Sequence, residues 1–209
     1  MNTENTEFPE KNFINFIKSN SKMFSYSAAI LFLIIAVSSW FFYDSEKKKI
    51  KISEDFIKAK ILLQNQKEDE AKKILKEIIE KKNTIYASLS LFLLIDNNLI
   101  ENKKLILDYF DNIISNNIYS DEDVNLLKLK KAIYISDIKE EEEMLKLLNP
   151  IINSDSVWKI QSLMFLGDFY YSLAQFEKAK QYYSILLKED SDNIPKAEIN
   201  RKIEFIKNE

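Results

Sequence analysis

The side chains able to do chemistry in this chain are Asp, Glu, Lys, Arg, Tyr, Ser and Thr, because its 209 residues include no His and no Cys. Imidazole and thiolate nucleophiles, the Ser-His-Asp relay, zinc sites built on N or S ligands, and haem or iron–sulfur ligation are therefore excluded. Paired carboxylates or a Ser-Lys site remain formally possible. No short motif announces either one, and the acidic residues alternate with Lys as they do on the solvated faces of amphipathic helices. A single Gly (Gly167) and three Pro (Pro9, Pro150, Pro195) rule out the Gly-rich dinucleotide fingerprint and the P-loop, which need several glycines to bring backbone N–H groups onto phosphate. With 30 basic and 33 acidic residues the net charge is −3, and the longest basic run is Lys47-Lys48-Lys49. Nucleic acid is not an expected partner. The chain reads as a non-enzyme with no cofactor, no metal and no small-molecule substrate.

What remains is a chain built to present surfaces. Hydrophobic residues make up 46% of it, enough for one ordinary core plus an appendage, and the scarcity of Gly and Pro favours long helices over hairpins.

Phe24 to Tyr43, FSYSAAILFLIIAVSSWFFY, carries no formal charge over twenty residues. At about 1.5 Å per residue this length matches a hydrocarbon core of about 30 Å. The run ends in Trp40-Phe41-Phe42-Tyr43, aromatics suited to a membrane–water interface, and is closed by Lys22 and Asp44. Small residues at Ala36-Val37-Ser38 offer a cleaved signal peptide as the rival reading. The mixed-charge stretch before the run and the bulky aromatics after Ser39 favour a retained anchor. The expected organisation is a polar segment over 1–22, a transmembrane anchor over 23–43, a charged connector over 44–51 and a helical repeat domain over 52–209. Phe13, Ile14, Phe16 and Ile17 predict a short interfacial helix within the first segment.

The repeat shows as one apolar pattern written four times. Ala71, Ile74, Leu75, Ile78 and Ile79 stand at i, i+3, i+4, i+7 and i+8, one face of an α-helix. The spacing recurs from Ile106 (Tyr109, Phe110, Ile113, Ile114), from Met144 (Leu147, Leu148, Ile151, Ile152) and from Ala179 (Tyr182, Tyr183, Leu186, Leu187). The four starting residues lie 35, 38 and 35 positions apart. Twelve residues before each stands Ala59, Leu94, Ala132 or Gly167, and three further back Phe56, Leu91, Leu129 or Met164, so each unit has a first helix as well. Small residues at three of these four positions permit close helix approach, and Gly inside a helix, at a cost of about 1 kcal/mol against Ala, calls for such a packing reason. Ala59, Ala71, Ala132, Gly167 and Ala179 are thus the expected packing residues. Pro150 falls inside the third unit's second helix and predicts a kink or an end at Asn149. A last helix is expected from Pro195 to Phe205, entered through Asn193-Ile194-Pro195 and closing the array with Ile199, Ile203 and Ile206 on one face.

In the last unit, Leu163, Leu166-Gly167, Tyr170, Ala179 and Tyr183 fall on the offsets of the tetratricopeptide signature, a unit of about 34 residues. The array resembles tetratricopeptide repeats, which implies an all-α fold: one N-terminal transmembrane helix followed by a tetratricopeptide-like helical solenoid of about four helix pairs with a C-terminal capping helix. Stacked pairs make a concave face lined by first helices, where Tyr170 and Tyr171 are candidate peptide-groove residues. The order of anchor, connector and array, and the segment Ser156 to Asp190, resemble the YfgM-like family of bacterial inner-membrane proteins, ancillary subunits of the SecYEG translocon. That resemblance implies a single-pass inner-membrane protein whose periplasmic repeat domain binds translocon subunits, periplasmic chaperones or translocating chains. A structural scaffold for other cell-envelope assemblies shares every one of these features. Lys11, Lys18 and Lys22 before the span against Lys47, Lys48, Lys49, Lys51, Lys58 and Lys60 after it argue for a cytoplasmic domain. General Lys enrichment inflates the downstream count, and the periplasmic orientation implied by the resemblance is preferred.

Overall fold

A computed structural model describes residues 21–81, 85–116, 118–136, 141–192 and 194–206. The expected interfacial helix around Phe13 to Ile17, and Asn193, lie outside the described residues. Among these residues the regular structure is all α-helical, without strands. The helices are α1 (Ser21–Gln64), α2 (Glu68–Glu80), α3 (Ile85–Asp96), α4 (Lys103–Ile114), α5 (Asp121–Ser136), α6 (Glu141–Ile152), α7 (Lys159–Ser172), α8 (Phe176–Leu186) and α9 (Lys196–Ile206). The chain divides between Glu54 and Asp55 into two compact units.

In the first unit, α1 carries a helical stretch long and apolar enough to cross a membrane, and none of its apolar window is buried. Ile30, Leu31, Phe32, Trp40 and Phe42 are all exposed, so this stretch is not the core helix of a soluble domain. The residues expected as a connector, 44–51, are helical, with Lys48 paired to Asp44 and Lys49 to Glu46 along the same helix.

In the second unit the repeated pattern falls on equivalent points of successive helices. Ala71, Ile106, Met144 and Ala179 are each the fourth residue of their helices, α2, α4, α6 and α8. All four are buried, as are Ala59, Leu94, Ala132 and Gly167 on α1, α3, α5 and α7. None of the twenty patterned positions is exposed. From α2 onward each helix packs on its neighbour in sequence, most closely α2 with α3, α5 with α6 and α7 with α8, while α5 also touches α7.

The turns explain the period. Gln66, Asn98 and Ala174 adopt φ of 60°, 52° and 55° just past α1, α3 and α7. Each is followed by the same 2.9 Å bond, from Lys67 N to Leu62 O, Leu99 N to Leu94 O, and Gln175 N to Tyr170 O, the Schellman closure of a helix end. In the second copy of the pattern this closure comes earlier, four residues after Leu94, against seven after Ala59 and Gly167. Buried Leu99 and Ile100 occupy the longer turn, and α4 still starts nine residues after Leu94, the offset kept throughout. Ser120 and Asp123 exchange bonds at the start of α5: Asp123 N donates to Ser120 Oγ at 3.2 Å and Ser120 N to Asp123 Oδ2 at 3.2 Å. This capping box fixes where the helix begins.

Pro150 corrects the expected break. α6 continues through it to Ile152 and does not end at Asn149. Pro150 sits exposed in the last turn, where losing one hydrogen bond to the carbonyl four residues back costs little, while Ile151 beyond it is fully buried and holds the turn down.

Candidate functional site

Gly167 shows how the last repeat closes. A Cβ built there would stand 2.6 Å from Tyr183 Cδ1 and closer still to Cε1, so the Tyr183 ring of α8 packs directly against the backbone of α7. The Tyr183 hydroxyl donates to Asp168 Oδ1 at 2.6 Å, and Lys202 Nζ of α9 reaches the same oxygen at 2.7 Å. Burial, then the hydrogen bond to Asp168, pushes the Tyr183 phenol well above its ordinary range.

Tyr170 repeats the arrangement. Its hydroxyl donates to Glu141 Oε1 at 2.8 Å, Lys178 Nζ donates to that oxygen at 2.8 Å, and the Lys178 ammonium lies 4.8 Å from the Tyr170 ring centroid. The ring stacks on Tyr182 with centroids 5.5 Å apart. Burial and the contact with Glu141 raise the Tyr170 phenol, while Lys178, then Tyr170, hold the Glu141 carboxyl below its ordinary value.

These contacts correct the candidate groove. Tyr170 is 1% exposed and has no surface to offer a peptide. Tyr171 is half-buried in an aromatic cluster with Phe176, at 5.8 Å, and Phe205, at 6.1 Å. Both tyrosines fasten helices together, because α8 and α9 fold back over the end of α7 that carries them. The packing residues Ala59, Ala71, Ala132, Gly167 and Ala179 are all buried.

The open surface lies elsewhere, between the first helices α3 and α5. A cleft of about 310 Å³ is walled by Phe92 and Ile95 of α3 and by Ile133 and Tyr134 of α5, with Asp96 and Lys130 at its rim. Its floor is the buried ring of Phe110 in α4, 6.3 Å from the Tyr134 ring. Lys130 Nζ lies 5.8 Å from the Phe92 centroid. Neither Lys130 nor Asp96 has an oppositely charged partner within ion-pair distance among the described residues. The nearby Lys131, one residue on, is the opposite case: 6% exposed, with Nζ 2.7 Å from Asp111 and 3.7 Å from Glu143.

Apolar exposure continues along the first helices. Ile57 and Ile61 on α1, Ile85 and Leu89 on α3, and Ile133 on α5 all face solvent. The sequence carries a signal for this that the second-helix pattern hides. Two residues before Ala59, Leu94, Ala132 and Gly167 stand Ile57, Phe92, Lys130 and Phe165, a large side chain each time. α3, IYASLSLFLLID, has no charge before Asp96, and a helix apolar on every side within a row of stacked helices leaves one apolar face uncovered.

Among the described residues no group of three or more acidic side chains is placed to hold a metal ion. No protein-family model, curated protein or solved structure matches this chain.

Proposed function

We propose that this chain is a membrane-tethered protein-binding scaffold, a tetratricopeptide-like solenoid carried on a single transmembrane helix. The observation that carries this reading is the agreement between the repeated pattern and the helices: four patterned second helices start at one fixed offset from four buried residues on four first helices. A row of such pairs leaves its first helices to form a binding face, and here those helices hold the exposed isoleucines and the cleft. Binding is the activity that suits the chain, since its residue types offer little chemistry and its first-helix surface is apolar.

The particular setting we propose is the bacterial inner membrane beside the SecYEG translocon, as in the YfgM-like proteins the sequence resembles, with the repeat domain in the periplasm meeting channel subunits, periplasmic chaperones or translocating chains. Tethering makes modest affinity sufficient, because confinement gives effective concentrations in the millimolar range for short linkers. Cross-linking in native membranes followed by partner identification tests this. Channel subunits or envelope chaperones are the expected products, and consistent recovery of cell-wall or division proteins without a channel subunit would replace the translocon setting with an envelope-organising one. External protease added to spheroplasts is expected to digest the repeat domain. Protection would place it in the cytoplasm, as the Lys distribution argues.

A further inference from the structure

We infer that the cleft between α3 and α5 is a docking site for a polypeptide segment carrying one bulky apolar side chain flanked by an acidic residue on one side and a basic residue on the other. This rests on the protein-binding reading above and names the ligand chemistry of that face.

The cavity size sets the anchor. A space of about 310 Å³ walled by Phe92, Ile95, Ile133 and Tyr134 takes one large aliphatic or aromatic side chain, with the Phe110 ring beneath it. Burying such a side chain contributes favourably through area alone, but area does not choose a partner. The rim charges do.

Lys130 and Asp96 come from opposite walls. Counted from the buried residues Leu94 and Ala132, Phe92 and Lys130 occupy the same repeat position, and Asp96 and Tyr134 occupy the position one turn further on. Cation and anion are therefore offset along the cleft by about one helical turn, roughly 6 Å, close to the spacing of alternate residues in an extended chain. The contrast with Lys131 makes the point. In the same helix turn the structure pairs that lysine with Asp111 and Glu143, whereas Lys130 lies over the face of Phe92 with no ion-pair partner among the described residues. Asp96 is placed at the C-terminal end of α3, where the helix dipole disfavours an anion, so a cation supplied from outside is welcome there. A lipid acyl chain would fill the apolar walls and leave both rim charges unanswered.

The test uses the full chain in lipid nanodiscs and fluorescein-labelled synthetic peptides read by anisotropy. One peptide carries Glu-Leu-Lys as consecutive residues, so that its two charges stand one alternate-residue step apart, a second replaces Glu by Lys, and a third replaces Leu by Ser. The mixed-charge peptide is expected to bind, and the Ser peptide to lose at least tenfold. Lys130→Glu should weaken the mixed-charge peptide about tenfold and strengthen the peptide with Lys in place of Glu, an exchange that loss of folding cannot produce. Ile133→Glu alters a position already exposed, so it should abolish binding while leaving the thermal melt unchanged. No binding of the mixed-charge peptide, or binding indifferent to both Lys130→Glu and Ile133→Glu, would overturn the site. Charge-indifferent binding blocked by Ile133→Glu would overturn the peptide assignment in favour of an acyl chain. If either occurs while partners still cross-link to the chain in native membranes, the scaffold reading stands and this site alone falls.

Discussion

The two halves of the helical unit over residues 55–209 carry the same apolar register and are finished differently. Around α7, α8 and α9 the core is closed by tyrosines whose hydroxyls are held by carboxylates, and those carboxylates are held in turn by Lys178 and Lys202. Around α1 to α4 the core is built on Leu75, Leu91, Leu94 and Ile106 together with the buried Phe110 ring, with exposed Ile57, Ile61, Ile85 and Leu89 on its outside. Polar contacts that fasten one helix to the next use up first-helix surface, as they do with Tyr170. The α1 to α4 half leaves Ile57, Ile61, Ile85 and Leu89 of its first helices exposed. Position 94 carries the same contrast in one residue: Leu fills the site where the other repeats place Ala or Gly, and the following turn is reshaped to fit.

The largest effect should come from Leu94→Ala. Although Ala stands at the equivalent positions 59 and 132, α3 ends early around Leu94 and does not move inward to fill the space, so a loss of about 2–5 kcal/mol is expected in urea unfolding followed by circular dichroism. A loss below about 1 kcal/mol would show that the second repeat relaxes to the geometry of its neighbours and would erase the difference between the halves.

Gly167→Leu should cost about 1–3 kcal/mol by overpacking against Tyr183, while Lys180→Leu, half-buried on the next helix, should cost far less. Equal melts for the two variants would mean that the ring of Tyr183 moves freely, against its bond to Asp168.

Acid should loosen the closed half. The Glu141 carboxyl is lowered from its ordinary 4.5 by Lys178 and then by Tyr170, so the stability it lends is fully present above about pH 4.5 and is lost as pH falls through the lower folded value. Hydrogen exchange at α7 and α8 between pH 5 and pH 3 should report this loss, and Glu141→Gln should flatten that dependence. An unchanged slope in Glu141→Gln would assign the acid response to other carboxylates.

The smallest effect is expected at a turn. Ala174 sits at φ 55°, where a Cβ is strained, and Gly relieves that strain, so Ala174→Gly should raise stability by up to about 1 kcal/mol. A lower melting temperature would show that the entropy Gly adds to the unfolded chain outweighs the relief.

A further check concerns the domain as a whole. Residues 50–209 made alone should give a helical spectrum and a cooperative melt, since the patterned faces cover one another. An unstructured spectrum would remove the repeat reading for both halves together.

The sequence by itself determined the helix register and the apolar stretch of α1. A helical face is written locally, every three or four residues, so Ala71, Ile106, Met144 and Ala179 mark their helices without help from the rest of the chain. An uncharged run such as Phe24 to Tyr43 is legible for the same reason. Only the tertiary structure decided which side chains would be covered. Tyr170 and Tyr171 read as surface because their covers, Glu141, Lys178 and Phe205, arrive from helices distant in sequence. Among thirty basic residues nothing local separates Lys131 from Lys130, and only the arrival of Asp111 and Glu143 buries one and leaves its neighbour at the rim of the cleft. Pro150 failed to end α6 because Ile151 gains more from the core than the helix loses at one exposed hydrogen bond. Periodicity says which way a side chain points along its own helix. Burial and pairing depend on what the other helices bring to it.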